Sequence, residues 1–483
     1  MNSNIERCQI STPIREVNRL LDVCGYNVDI FDKKVAENSC GEGNILKEIV
    51  TRYITAGLES EKSNDEIKIG LESNIFGYEI QQEKLDNCRI NLDYIASSYN
   101  IRNVKWNLVC CDYLSVKNEN KFDFVIGNPP YISYKNLSLE ERRYIKKHYE
   151  TCKQGKFDIY YAFLEAGIKS IKPDGKMVYL VPSNMFKCTF GKQIREFIKF
   201  FLTDIYDYKT KKIFDKLTNS VILSISKSGN EGYINYHDLK DKIDFRIPTK
   251  ELKNKWIFRQ LNSENIDANI EYLRFGDYFH AQITIATLLN KAFILKDFKE
   301  EKEFVINKDY KIEKELVRKS VNPRLLKIES EEKIIFPYYY KESKFFRYSL
   351  EEFNNKFPFG KEYLLVFKED LDKRNSHANT EWFEYGRAQA LKKLDECKLL
   401  ISILITKEVN TYILDKETIP TSGIFITKLK DYDLKIAQKI LHSKAFMDYV
   451  KNIGIICNGK SYKITPNDIN EFMFDKKFLE EVA

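Results

Sequence analysis

Nowhere in its 483 residues does the chain run eighteen apolar residues in succession, which excludes a membrane-crossing helix. Histidine is scarce at five residues, and the ten cysteines stand singly apart from Cys110-Cys111, with no CxxC pair. Neither a zinc cluster nor a disulfide scaffold is therefore indicated. Residues 1–17 lack a basic start followed by an apolar run, so a secretory leader is not expected. Internal repeats and low-complexity tracts are missing as well. What is present is globular: 43% hydrophobic and 31% charged residues, at a length suited to two or three domains. These features together imply a soluble protein of a reducing compartment, the cytoplasm.

Charge is unevenly spread. Residues 1–130 carry 15 Lys and Arg against 20 Asp and Glu, whereas residues 131–250 carry 23 against 14. A mildly acidic segment followed by a basic one suits a small-molecule site beside a polyanion site, and it equally suits ordinary solvated surface.

In the first half, β-rich runs at 33–37, 75–80, 104–110, 122–127, 177–181, 205–208 and 221–226 alternate with helical patterns. That alternation predicts βαβ units and a mostly parallel sheet. One helix is expected to open at Thr12-Pro13, with Thr12 as its N-cap and Pro13 in the first turn. Others are expected after Gly43 and over 82–97, 159–171 and 191–201. The polar piece 59–68 reads as a surface insertion. The alternation ends near 229–255, where Gly, Asn, Asp and Lys accumulate, and a domain boundary is expected there, near residue 240.

Four motifs carry chemistry. In VAENSCGEGNIL, Glu37 closes a strand, and Cys40, Gly41 and Gly43 form the turn into a helix, where backbone can approach a ligand. In FGYEI, Glu79 and Ile80 end the next strand, 36 residues past Gly43, and a carboxylate there can accept both hydroxyls of a ribose. In LVCCDYL, Asp112 is placed to accept from an amine such as that of an adenine ring. Singly, each acid is an ordinary surface residue; at three consecutive strand ends they are harder to dismiss. The fourth motif, Asn128-Pro129-Pro130-Tyr131, follows an apolar strand directly. Two prolines hold the backbone extended and leave carbonyls without local N–H partners. The Asn128 side-chain oxygen and the Pro129 carbonyl could then both accept from one planar NH2 group, freeing its nitrogen lone pair for attack, while Tyr131 offers a face for the ring that bears it.

With these motifs in place, the chain resembles the TaqI-like (gamma-class) N(6)-adenine DNA methyltransferases of restriction–modification and phage-defence systems. The resemblance implies a Rossmann-like α/β methyltransferase domain over residues 1–240 and a mixed α+β target-recognition domain over 241–483. It implies S-adenosylmethionine as cofactor, held by Thr12, Pro13, Glu37, Cys40, Gly41, Gly43, Glu79, Ile80, Asp112, Tyr113 and Asn128. It also implies transfer to a flipped adenine held by Asn128, Pro129, Pro130 and Tyr131, with Phe214 of KKIFD as a second aromatic against the base. Asn38 stands where the family more usually has Pro. Only 85 residues separate Gly43 from Asn128, too few for a recognition domain between them, which is the gamma arrangement. Segments WFEYGRAQALKKLDECKLLI and TSGIFITK resemble the family's recognition domain more loosely.

Double-stranded DNA is then the expected partner, with cognate restriction or defence proteins as further partners and no metal or membrane required. Methylation of another planar amine or amide (N(4)-cytosine, an rRNA guanine, a protein glutamine) is the enzymatic alternative, and a non-catalytic DNA-binding subunit of a defence complex the other. Attack on a cytosine ring carbon needs a thiolate, usually after a proline, and no Pro-Cys dipeptide occurs. The stretch FPYYYKESKFFRY interleaves rings with Lys341, Lys344 and Arg347, a mixture suited either to nucleic acid or to a core.

Overall fold

The alternating first half of the chain builds a single nine-stranded sheet. In the computed structural model, which describes residues 11–211, 213, 219–258, 270–328, 331–457 and 461–480, the chain divides into two units, Met1–Asn262 and Ser263–Ala483.

Strands of the first unit are β1 (Val35–Glu37), β2 (Ile75–Glu79), β3 (Asn107–Cys110), β4 (Phe122–Gly127), β5 (Ile171–Pro182), β6 (Leu202–Asp207), β7 (Ser220–Ser226), β8 (Tyr233–Asp238) and β9 (Ile243–Pro248). They lie in the order β3-β2-β1-β4-β5-β7-β6-β8-β9. β3 through β5 are mutually parallel, β7 runs antiparallel between β5 and β6, and β8 returns parallel to β6. The seven expected strands are all present, and the sheet is mostly parallel as expected. Strand order reverses between β1 and β4, and a parallel sheet holds ligands beyond the carboxyl ends at such a switch.

Helices α1 (Ile14–Cys24), α2 (Asn44–Glu59), α3 (Asn64–Asn74), α4 (Gln82–Ser98), α5 (Leu139–His148), α6 (Tyr160–Ser170) and α7 (Lys192–Ile198) belong to this unit. α1 forms because Val17, Leu20, Leu21 and Cys24 recur at helical spacing and are all buried. It stops at Gly25, whose φ of 75° lets the Tyr26 amide reach back to the Leu21 carbonyl. Apolar residues of β5, including Met177 to Val181, are fully buried, as a strand covered on both faces requires.

Three expectations need correction. Thr12 is not the N-cap of α1; Pro13 holds that position without a side-chain bond, and the Thr12 hydroxyl is used elsewhere. The piece 59–68 is not simply a surface insertion, since Ser63 and Glu66 form a capping box that starts α3, which buries Ile67 and Leu71. The boundary near residue 240 falls in the turn between β8 and β9, so the first unit continues past it. Ile234 and Tyr236 alternate with polar residues there and face the core, a half-buried edge that composition alone reads as loop.

The second unit is a mosaic of small sheets. One four-stranded sheet runs in the order Phe279–Ile283, Ile424–Lys428, Lys398–Ile401, Thr411–Leu414, wholly antiparallel. A second core gathers Phe293, Leu316, Ile334, Phe353, Phe383 and Tyr385. Among the described residues no helix is long and apolar enough to cross a membrane.

Candidate active site

The strand ends at the β1/β4 switch deliver their side chains to two adjoining chambers of about 240 and 250 Å3, which share Ser39 and Pro130. The first is lined by Thr12, Glu37, Cys40, Gly41 and the whole of residues 128–131, together with Ser11, Ser39, Glu42, Asn44, Ile45 and Lys84. Glu79, Ile80, Asp112, Tyr113 and again Pro130 line the second, with Asn38, Ile132, Tyr144, Ile159 and Phe163.

Glu37 enters the first chamber from the end of β1. Its side chain is buried and its Oε2 has no hydrogen-bond partner among the described residues. Burial pushes its carboxyl well above the usual carboxylate range, and the neighbouring Glu79 adds to the effect. Such a group is poised to ionise when a cation arrives. Asn38 presents a similar feature in the second chamber: its amide NH2 donates to the Tyr179 hydroxyl, and its buried Oδ1 has no partner among the described residues.

Glu79 is held by backbone. One carboxylate oxygen accepts from the Gly41 amide and the other from the Gln81 amide, each at 3.0 Å. These bonds tie the end of β2 to the turn after β1, so the Gly41 backbone and the Glu79 carboxylate are positioned together. Gly41 and Gly43 both take left-handed backbone, with φ of 53° and 83°. Gly43 does not line either chamber. A Cβ there would come within 2.6 Å of the Cys88 sulfur on α4, so its glycine serves helix packing. Pro13 likewise lies off the lining and opens α1. Asp112 accepts from the Leu114 amide at 3.0 Å, which fixes its side chain at the rim of the second chamber. Tyr113 is buried beside Tyr78 and stacks on Phe163, 6.3 Å between centroids, and burial raises its hydroxyl to about 12.

Asn128 is the best-anchored polar side chain of the first chamber. Its NH2 donates to the Thr12 hydroxyl at 3.1 Å, its Oδ1 accepts from the Tyr131 hydroxyl at 2.5 Å, and its carbonyl accepts from Ser39 at 3.3 Å. Tyr131 also reaches the Leu180 carbonyl at 2.9 Å, and its ring packs edge-on to Tyr160. The Thr12 hydroxyl therefore holds Asn128 across 116 residues of sequence. Phe214 lies outside the described residues. The other aromatics after β5 differ in availability: Phe186 is buried against Trp256, and Phe190 is exposed.

Sequence reasoning missed Ser39, Ile132, Phe163 and the first turns of α5. Ile132 was within reach, being adjacent to Tyr131. For α5 only the Ser138-to-Glu141 capping box was legible, because which cavity that turn covers depends on the tertiary path.

Residues 44–214 match the family model of the Eco57I restriction-modification methylase. The chain is 25% identical over 399 residues to the Type II restriction enzyme and methyltransferase RM.Eco57I of Escherichia coli, covering 70% of this chain and 39% of that protein. It is 26% identical over 211 residues to the Type II methyltransferase M.BstVI of Geobacillus stearothermophilus, covering 41% of this chain and 36% of that one. The chain thus spans about two fifths of the length of these curated relatives. Among solved structures, the Type IIL restriction-modification enzyme MmeI, in complex with DNA, superposes with a TM-score of 0.59 at 11% identity, over 94% of this chain and 64% of that chain. A nuclease-deletion mutant of the Type ISP restriction-modification enzyme LlaGI, with a DNA substrate mimic, gives 0.55 at 12% identity, over 91% and 52%. The chain therefore has the α/β methyltransferase fold, and in residues 44–214, which hold Glu79, Asp112 and residues 128–131, it is similar to the methyltransferases of restriction–modification systems.

Proposed function

We propose that the chain transfers a methyl group from S-adenosylmethionine to the exocyclic amine of an adenine flipped out of duplex DNA. The observation that carries this reading is the lining of one chamber by both residues 128–131 and the buried, underused carboxyl of Glu37. A planar-amine holder and a cation-seeking group thus share one small space.

The two chambers fit S-adenosylmethionine. Glu37, with Thr12, Cys40 and Gly41 around it, suits the charged amino-acid end; Glu79 suits the ribose; Ile80, Asp112 and Tyr113 suit the adenine. When bound, the cofactor supplies a methyl group on a sulfonium, an intrinsically good leaving group. The protein's work is then positioning and electrostatics. By binding the Asn128 NH2, Thr12 fixes which way the amide faces. Asn128 Oδ1 has two lone pairs, so it can accept from a substrate amine while still accepting from Tyr131. The Pro129 carbonyl supplies the second acceptor, and the ring of Tyr131 supplies a face for the base. Flipping costs a few kcal/mol, which contacts to the extrahelical base must offset.

We assign the transfer reaction to the first unit and target recognition to Ser263–Ala483. The similarity to restriction–modification enzymes and to neighbours bound to DNA supports DNA as substrate and a cognate restriction or defence activity as partner. The test is to offer the purified full chain labelled S-adenosylmethionine with unmethylated duplex DNA, RNA and protein, and to digest the products. Label on the N(6) of deoxyadenosine is expected. Label on cytosine, guanine or glutamine would replace the substrate, and no label in any acceptor would favour a non-catalytic subunit.

A further inference from the structure

In the second unit, strands Tyr338–Lys341 and Lys344–Arg347 form a two-stranded hairpin whose alternation sorts its residues onto two faces. The inner face is pinned. Tyr338 is buried and its hydroxyl accepts from the Tyr385 amide at 2.7 Å, the Tyr340 hydroxyl donates to the Leu391 carbonyl at 2.5 Å, and Arg347 pairs with the buried Glu384. On the outer face, Tyr339 stacks on Phe346 with centroids 5.3 Å apart, and Tyr348, half-buried with one edge against Phe357, lies 4.8 Å from Tyr339. Phe346 is 38% exposed.

The tip carries two choices that folding alone does not favour. Its turn residues, Glu342 and Ser343, have φ of 50° and 58°, the left-handed region that two-residue hairpins usually fill with Asn-Gly. Lys341 and Lys344 sit directly across from one another, both exposed, and among the described residues neither makes an ion pair. Like charges directly opposite on a sheet repel. Left-handed side-chain-bearing residues and two facing lysines without an ion pair among the described residues, with only Glu342 of opposite sign in the turn between them, mark this tip, on a hairpin pinned along its inner face, as shaped for something outside the chain.

We propose that this hairpin is a DNA-contacting element in which Lys341 and Lys344 grip a phosphate of the duplex backbone and the Tyr339–Phe346–Tyr348 ladder lies along the adjoining sugars. The partner rests on the reading of duplex DNA as substrate. A phosphate between the two ammonium groups removes their repulsion, and lysine acts on phosphate as a compact point charge. A rigid aromatic ladder offers apolar surface at little entropic cost, because each ring already packs on its neighbour. An acidic protein segment is the rival partner, and direct duplex binding separates the two, since each phosphate contact on a duplex adds close to one to the slope of log affinity against log salt.

The test uses the full chain and the double variant Lys341→Gln/Lys344→Gln, with affinity for unmethylated duplex measured across a salt series. Losing the grip on that phosphate should lower the slope of log affinity against log salt by about 1 and weaken low-salt binding by roughly tenfold. Thermal stability should hold or rise, because the facing charges are gone, and Lys341→Arg/Lys344→Arg should restore the wild-type slope. An unchanged slope in the double variant, where the wild type methylates DNA, overturns the hairpin proposal and leaves the activity reading intact. A lowered slope in the double variant, where the wild type binds DNA but transfers no methyl group to it, supports the hairpin while the activity reading falls. If the wild type binds no duplex DNA, the hairpin proposal falls too.

Discussion

The two units bury their cores by different means, and the difference decides how much chemistry each reveals. In the first, five neighbouring parallel strands end on one side, so Glu37, Glu79, Asp112 and Asn128 arrive at adjoining chambers by topology. In the second, the described residues form six separate sheets of two to four strands. No shared edge there collects side chains from successive elements. A parallel sheet turns sequence order into spatial order; a mosaic does not.

This is why the first unit was legible and the second was not. Strand ends could be read from apolar runs that stop at Glu or Asn, and all seven strands formed. Where reading failed, a local rule lost to a tertiary one. Thr12 has the chemistry of an N-cap, yet its hydroxyl serves Asn128, 116 residues away. β8 and β9 look like loop because half their residues face solvent. In the second unit, the aromatic-rich stretch 336–348 reads equally as core or as surface, and strand alternation makes it both, with one face buried and the other turned outward.

The sharpest break in the comparison should come from Asn128→Ala. Removing one acceptor of the amine, and the group that Thr12 and Tyr131 both hold, should lower turnover on the order of a thousandfold or more. Cofactor affinity should fall far less than turnover, because Glu37, Glu79 and Asp112 are untouched. Single-turnover methylation and calorimetric cofactor binding read the two separately. Near-normal turnover would remove Asn128 from the chemistry.

The second unit should respond in stability and not in cofactor binding. Lys398 is fully buried in its central sheet, and its ammonium donates to the Asp415, Lys416 and Thr418 carbonyls at 2.8, 3.3 and 3.1 Å. Lys398→Met leaves those acceptors unpaired and should destabilise this unit by roughly 2–4 kcal/mol in urea unfolding. Burial lowers the Lys398 ammonium to about 8 from an ordinary 10.5. Between those values the unfolded chain holds the proton and the folded one releases it, so this lysine makes stability rise with pH across that window. The Met variant should lose that rise. Equal pH dependence in both proteins would rule the lysine out as its source.

Returning to the first unit, Glu37→Gln should weaken S-adenosylmethionine binding by about tenfold to a hundredfold, the loss of one charge-assisted contact. The carboxyl of the free protein sits well above its usual range through burial, and a cationic ligand favours its ionised form. Binding should therefore release a proton and tighten as pH rises, until the free carboxyl has itself ionised. Calorimetry in two buffers of different ionisation heat measures that proton directly. Proton release of equal size in the Gln variant would show that another group is responsible.

The smallest effect tests whether scaffold and site are separable within the first unit. The Ser63 hydroxyl accepts from the Glu66 amide, and the Glu66 carboxylate accepts from the Ser63 amide and hydroxyl, each at 2.8 Å. Ser63→Ala removes one half of this box and should cost about 1 kcal/mol of stability. Those same bonds hold the Glu66 carboxyl below its ordinary range, so its contribution is present above that range and fades as pH falls through it. The variant should show a shallower loss of stability on acidification. α3 contributes no lining residue to either chamber, so cofactor affinity should be unchanged at any pH where the unit is folded. A shift in affinity without a matching shift in stability would mean that α3 holds the strand end at Glu79 in register, and that the segment read from sequence as an insertion belongs to the site's support.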